Sequence, residues 1–144
     1  ADWRGGGRAS GRETLTRVMA ASVAKMCLKE AAPSLQVVAF TSQVGPLKMS
    51  TDELEAVMSQ KSFTQSDVDL YPSRFPRSHL DSQAAELLKK AKSEGRSYGG
   101  VAHLWIQNPP KGLGQPVFRK LKADLATALM SVGATNGLEL GLGF

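Results

Sequence analysis

The chain has 144 residues, a formal net charge of +5, one cysteine and an aromatic content of only 6%. That length supports one domain with a real core and hardly two. The positive charge points to an anionic partner, but the basic residues are dispersed and not interleaved with aromatic stacking platforms, which argues against nucleic acid.

The first segment, DWRGGGRASGRETLTRV (Asp2–Val18), surrounds three glycines with Arg4, Arg8, Arg12 and Arg17. Ser10 and Glu13 form an S-x-x-E capping box, so a helix is predicted to start here. Leu15, Val18, Met19, Val23, Met26 and Cys27 then follow at helical spacing, with alanine and serine between them. A helix apolar over more than one stripe is expected to be largely buried, and Cys27 inside it is expected to be a structural thiol. A single cysteine leaves no intrachain disulfide or thiolate metal site. The bland reading of the glycine loop is a capped helix with solvated arginines. The sharper one is an anion site built from helix-start amides and guanidinium groups.

Pro33 should end this helix, and LQVVAFTSQVG (Leu35–Gly45) reads as a strand stopped at Gly45-Pro46. Ser50 and Glu53 repeat the cap and open a short helix through Met58. Residues 61–79 contain two prolines and no clear period, so a surface loop is expected. Ser78 or Asp81 should cap a helix through Lys92, with Leu80, Ala84, Leu87, Leu88 and Ala91 inward and Gly95 as its stop. VAHLWIQN (Val101–Asn108) is a second strand, PPKGLGQP a turn, and Pro116 suits the first position of a last helix running to Ser131. Phe118, Leu121, Leu125, Leu129 and Val132 would form its stripe, and GLELG a third strand beyond Gly133. This order is that of a layered α/β or α+β domain with a strand–helix–strand unit at its C-terminal end.

Other candidate chemistry is thin. His79 and His103 lack both a nucleophile motif and a metal-ligand spacing, so structural or surface roles are expected for both. In PPKGLGQP the lysine precedes Gly112, against the order a phosphate loop requires, and GRSYGG opens a strand rather than a helix. No run approaches the roughly 18 apolar residues of a membrane span, and no signal peptide is visible. A soluble protein of a reducing compartment is expected. The chain starts without methionine and ends in mid-pattern, as a piece of a longer protein would.

Three stretches together narrow the reading: GGGRASGRETLTRV, GLGQPVFRKLKADLATALMSVGA and NGLELGLGF, with SEGRSYGG between the first two. In this order and at these separations they resemble the middle of a chorismate synthase. The resemblance implies an α+β fold, a β–α–β sandwich with central helices between sheets, in which residues 1–144 are a single core fragment of a homotetrameric enzyme. It implies a lyase of the shikimate pathway that converts 5-enolpyruvylshikimate 3-phosphate to chorismate and phosphate by anti-1,4-elimination. The cofactor implied is reduced FMN, with NADPH as the associated reductant and no metal. The location implied is cytoplasmic, or plastid for a plant-type source.

Residue by residue, the resemblance assigns Arg8, Ala9 and Ser10 to the flavin, Ser10 and Arg12 to the anionic substrate, and Gly133 and Ala134 to the flavin again. Where this chain has Gly133, many members of the family have asparagine; Arg119, Lys122 and Asn136 are further departures. Arg4 and Arg17 receive no role. The catalytic histidines of the family belong to motifs upstream of Asp2, and further arginines and flavin-binding motifs lie outside this chain. No catalytic residue is therefore expected here, and the fragment is expected to be inactive, since an incomplete shell loses preorganisation. The competing reading is a non-catalytic module that keeps the fold and uses its basic loop for an anionic partner or for assembly.

Overall fold

The computed structural model describes residues 11–60 and 62–141. The chain divides into two compact units, one formed by Gln36–Asn108 and the other by Ala1–Leu35 together with Pro109–Phe144. The architecture is α+β, mixing five helices with a small antiparallel sheet among the described residues.

In the continuous unit, strand β1 (Gln36–Val44) lies centrally, flanked by β2 (Leu47–Lys48) and β3 (Gly100–Gln107), all antiparallel. The alternation of β1 decides which face is covered: Val38, Phe40 and Ser42 are buried while Val37 and Ala39 face out. Ser42 is the extra residue of a bulge, because the register jumps from Thr41↔Ala102 to Gln43↔Val101. Its hydroxyl donates to the Val101 carbonyl at 3.3 Å, and its carbonyl accepts the Met49 amide at 2.9 Å. Gly45 takes the hairpin turn at φ 53°, with the Tyr98 ring where a Cβ would sit.

Three helices complete this unit: α2 (Thr51–Met58), α3 (Gln65–Asp69) and α4 (Ser78–Ser93). The predicted capping box of α2 is present: Glu53 N–H donates to Ser50 Oγ at 3.2 Å, and Ser50 N–H to the Glu53 carboxylate at 2.8 Å. The core gathers Val38, Phe40, Met49, Val57, Phe63, Val68, Phe75, Leu80 and Ala84. Phe40 and Phe63 meet edge to face at 5.9 Å.

The segment 61–79 departs from the expected surface loop. It carries α3, and its Phe63, Val68 and Phe75 are buried. Three large apolar side chains gain more by burial than the prolines lose by interrupting periodicity. Neither Ser78 nor Asp81 caps α4, whose N-cap is Arg77 without a side-chain bond. Asp81 instead accepts from Ser73 N–H at 2.9 Å and Ser73 O–H at 2.6 Å, which ties the preceding loop to the helix. Leu80, Ala84 and Ala91 are buried as expected, whereas Leu88 is exposed. Gly95 ends the helix as predicted, at φ 67°, with the Arg96 amide reaching back to the Ala91 carbonyl at 2.8 Å.

The second unit holds α1 (Gly11–Ala31) and α5 (Leu121–Met130). The expectation that α1 is buried is overturned: none of its residues is buried, Leu15, Val18, Met19, Val23 and Met26 are exposed, and so is Cys27. Burial needs a facing apolar surface, and the described residues provide none along this helix. The last helix begins at Leu121 rather than Pro116. Gln115 and Arg119 exchange backbone hydrogen bonds at 2.6 and 2.9 Å, committing Pro116 to a tight loop that leaves Phe118 89% exposed. Gly114, at φ 86°, lies so close to the start of α5 that a Cβ would meet the Leu121 nitrogen at 2.6 Å. GLELG forms no strand through Gly141, so the expected C-terminal strand–helix–strand unit is not found among the described residues. The strands of the sheet instead lie within residues 36–108 and pair antiparallel.

Candidate functional site

Arg8, Ala9 and Ser10, and with Ser10 the first capping box, lie outside the described residues. The site is therefore built here from the start of α1 and the end of α5. Arg12 and Glu13 occupy the first turn of α1, and Arg12 is exposed. The first amides of a helix have no partner within the helix, and that turn carries the positive end of its dipole.

At the other wall, Ser131 is the C-cap of α5, its amide donating to the Thr127 carbonyl at 3.1 Å. The chain then turns sharply. Val132 N–H bonds the Leu129 carbonyl at 3.1 Å, and Thr135 N–H bonds the Val132 carbonyl at 3.2 Å. Between them lie Gly133 and Ala134, both exposed, with Ala134 at φ 63°. A left-handed alanine costs roughly 1–2 kcal/mol, so this turn is held against the residue's own preference. A Cβ on Gly133 would meet nothing within 4 Å, so open space adjoins the turn and sterics do not demand glycine there.

Both walls belong to the same compact unit. They are joined by one side chain that the sequence left without a role: Arg17 Nη1 donates to Ser131 Oγ across 114 positions of sequence. Ser131 O–H in turn donates to the Ala128 carbonyl at 2.6 Å. Five residues separate Arg12 from Arg17, about 7.5 Å of helix rise. An open groove runs along α5 beside this junction, lined by Phe118, Arg119, Asp124, Thr127, Ala128 and Ser131. Arg119 and Asp124 pair across it at 2.8 Å.

The two histidines lie in the other unit. His79 Nε2 is 3.0 Å from Glu53 Oε1 on the surface. His103 stacks on Phe40 with centroids 5.4 Å apart, and its burial pushes the imidazole pKa down from the ordinary 6.5. Neither stands beside a nucleophile hydrogen-bonded to it. Among the described residues, no three histidine, cysteine, aspartate or glutamate side chains are arranged to hold a metal ion. No described helix is long and apolar enough to cross a membrane.

The motif stretches that build the two walls carry an identity along the whole chain. The family model described as chorismate synthase matches residues 1–144. The chain belongs to the chorismate synthase family. Chorismate synthase of Bdellovibrio bacteriovorus is 56% identical over 143 residues, covering 99% of this chain and 40% of that protein. The enzymes of Phocaeicola vulgatus and Saccharolobus solfataricus are each 43% identical, with 37% and 34% of their lengths covered. The chain thus spans between a third and two fifths of the length of these curated relatives.

Sequence reasoning singled out the start of α1 and the Gly133–Ala134 pair but not the Arg17–Ser131 bond. The Arg17–Ser131 bond joins residues too far apart for any spacing rule, although both lie inside the stretches that resemble the family.

Proposed function

We propose that this chain contributes a wall of the active site of a chorismate synthase, the lyase that eliminates phosphate from 5-enolpyruvylshikimate 3-phosphate to give chorismate. The observation that carries this reading is the family match along all 144 residues, together with the presence of α1 and the Gly133–Ala134 turn in one unit.

In this reading Arg8, Ala9 and Ser10, with Gly133 and Ala134, hold reduced FMN, and Ser10 and Arg12 face the substrate. The donor chemistry fits such a group. A guanidinium in the first turn of α1 adds to the helix-start amides, and open space lies beside a turn that exposes its backbone. Reduced FMN held by these residues would supply electron-donating chemistry to a conversion that carries no net redox change. Arg12 supplies fixed positive charge to an anionic substrate, and a preorganised guanidinium stabilises phosphate as its charge develops on leaving. The family's enzyme is proposed to act as a homotetramer, with residues 1–144 forming one core fragment of each subunit.

Titration of the 144-residue protein with FMN, followed by flavin fluorescence, tests this reading. Saturable binding by this chain, or by a longer one carrying the flanking segments of the family, supports it, and Arg8→Ala and Ser10→Ala should each weaken that binding about tenfold or more for the lost charge-assisted bonds. If neither this chain nor a longer one carrying the flanking segments of the family binds FMN, the reading fails and a non-catalytic module takes its place.

A further inference from the structure

We infer that Arg17 is a positioning residue: through Ser131 it latches the Gly133–Ala134 turn to helix α1, and so fixes the spacing of the two walls of the candidate site. The inference rests on the reading above for its functional meaning, but the latch itself is a property of the free protein.

The argument begins at Ala134. A non-glycine residue at φ 63° returns to its preferred conformation unless the surroundings hold it. Among the described residues nothing lies within 4 Å of the position a Gly133 Cβ would take, so side-chain packing there does not hold the turn. One restraint is the Thr135–Val132 backbone bond that spans Ala134, and a second enters through the chain that leads into the turn, at Ser131. It is the C-cap, its own hydroxyl proton is committed to the Ala128 carbonyl, and its oxygen accepts Arg17 Nη1. With the hydroxyl oriented by Ala128, the guanidinium approaches a lone pair whose direction is already fixed. The cation also lies at the C-terminal end of α5, where the helix dipole favours positive charge.

Arg17 sits in the second turn of α1, so the residue that fixes the far wall is carried by the same rigid helix that carries Arg12. A shift of α1 moves the near wall and the far wall together. Phosphate and flavin recognition both need their donors held to within a fraction of an ångström, which two separately mobile walls do not provide. Lysine in place of Arg17 keeps one donor and the charge but loses the rigid planar fork.

Amide hydrogen exchange on the intact 144-residue chain tests the latch without any ligand. The reporters are the amides of Ser131, Val132 and Thr135, which donate to Thr127, Leu129 and Val132. Arg17→Ala should speed their exchange roughly three- to tenfold, the span that the net loss of an ordinary, solvent-exposed hydrogen bond covers. Arg17→Lys should restore most of the protection. Ser131→Ala should match Arg17→Ala, and the double variant should add nothing beyond either. The Arg96 amide, bonded to Ala91 in the other unit, should not change in any of them.

Unchanged exchange at residues 131–135 in Arg17→Ala overturns the latch, as does an equal rise at Arg96, which would mark a general loss of stability. FMN titration of the same variants reads the positioning role. If the parent chain binds FMN, parallel weakening in Arg17→Ala and recovery in Arg17→Lys support the role, and unaltered affinity despite faster exchange reduces Arg17 to a structural tie. If the parent chain binds no FMN, the same variants are read in the longer chain carrying the flanking segments of the family, while the exchange data still decide the latch.

Discussion

Three carboxylates and one imidazole in the 36–108 unit are set so that acid weakens it. Ser50 holds the Glu53 carboxyl below its ordinary 4.5, chiefly through its backbone amide, with His79 adding a smaller pull. Thr64 does the same to Asp67, and the Ser73 hydroxyl and amide to Asp81, both below the ordinary 3.8. Each contributes stability that is present above the ordinary carboxylate value and lost as pH falls through the lowered one. His103 acts in the same direction at higher pH. Its burial favours the neutral ring, so the unfolded chain binds more protons as pH drops below 6.5. Urea midpoints should therefore decline in two stages between about pH 7 and about pH 3, the first flattened by His103→Gln and the second by Asp81→Asn. A midpoint that stays level over that range would contradict the assignment. The cap of α2 was legible in the sequence, because Ser50 and Glu53 are three residues apart and their bonds follow from helix geometry. The Thr64–Asp67 pair, in which aspartate replaces the glutamate of the usual box, went unread for want of a long enough helix behind it. Arg17 and Ser131 had no such local signature.

Between elements, the edges of the sheet are treated unequally. The outer side of β1 is closed by the α3 segment: Ala39 N–H donates to Gln65 Oε1 at 2.9 Å, and Gln65 Nε2 donates back to the Ala39 carbonyl at 3.3 Å. One primary amide thus imitates a neighbouring strand. Two residues on, Thr41 N–H donates to the Arg74 carbonyl at 2.9 Å and its hydroxyl to the Ser73 carbonyl. Closing an edge in this way removes a template for pairing with another chain. Gln65→Leu deletes the imitation while keeping the side-chain bulk. It should cost about 1 kcal/mol, because water can reach the freed groups, and should raise light scattering on heating. Unaltered melting and scattering would show that the clamp contributes nothing. The strand β1 was legible in the sequence, as were α2 from its cap and α4 from its apolar stripe. The α3 segment was not, since five helical residues carry no full period and its burial depends on partners distant in sequence. The late start of α5 was equally hidden: it is set by backbone bonds between Gln115 and Arg119, which leave no mark on the hydrophobic pattern.

At the scale of the molecule, the family was legible because three motifs kept their order, whereas burial was not, because it depends on what surrounds a helix. The helix α1 was correctly found and wrongly buried. The 36–108 unit has its own core, and the register Gln36↔Gln107 sets its two ends side by side. Residues 36–108 alone should therefore unfold in a single cooperative transition, with a stability of no more than about 3–5 kcal/mol, as befits so small a core. Gradual, non-cooperative melting would show that the unit depends on the rest of the chain.

The other unit draws on both ends of the chain, with residues 36–108 set between its two halves. During synthesis, then, α1 leaves the ribosome long before α5 is made, while the segment between them can close on itself as soon as β3 is complete. The guanidinium of Arg17 has no Ser131 to meet through that interval. A codon-dependent pause after Asn108 would lengthen the time before the Arg17–Ser131 bond can form without disturbing the part already folded.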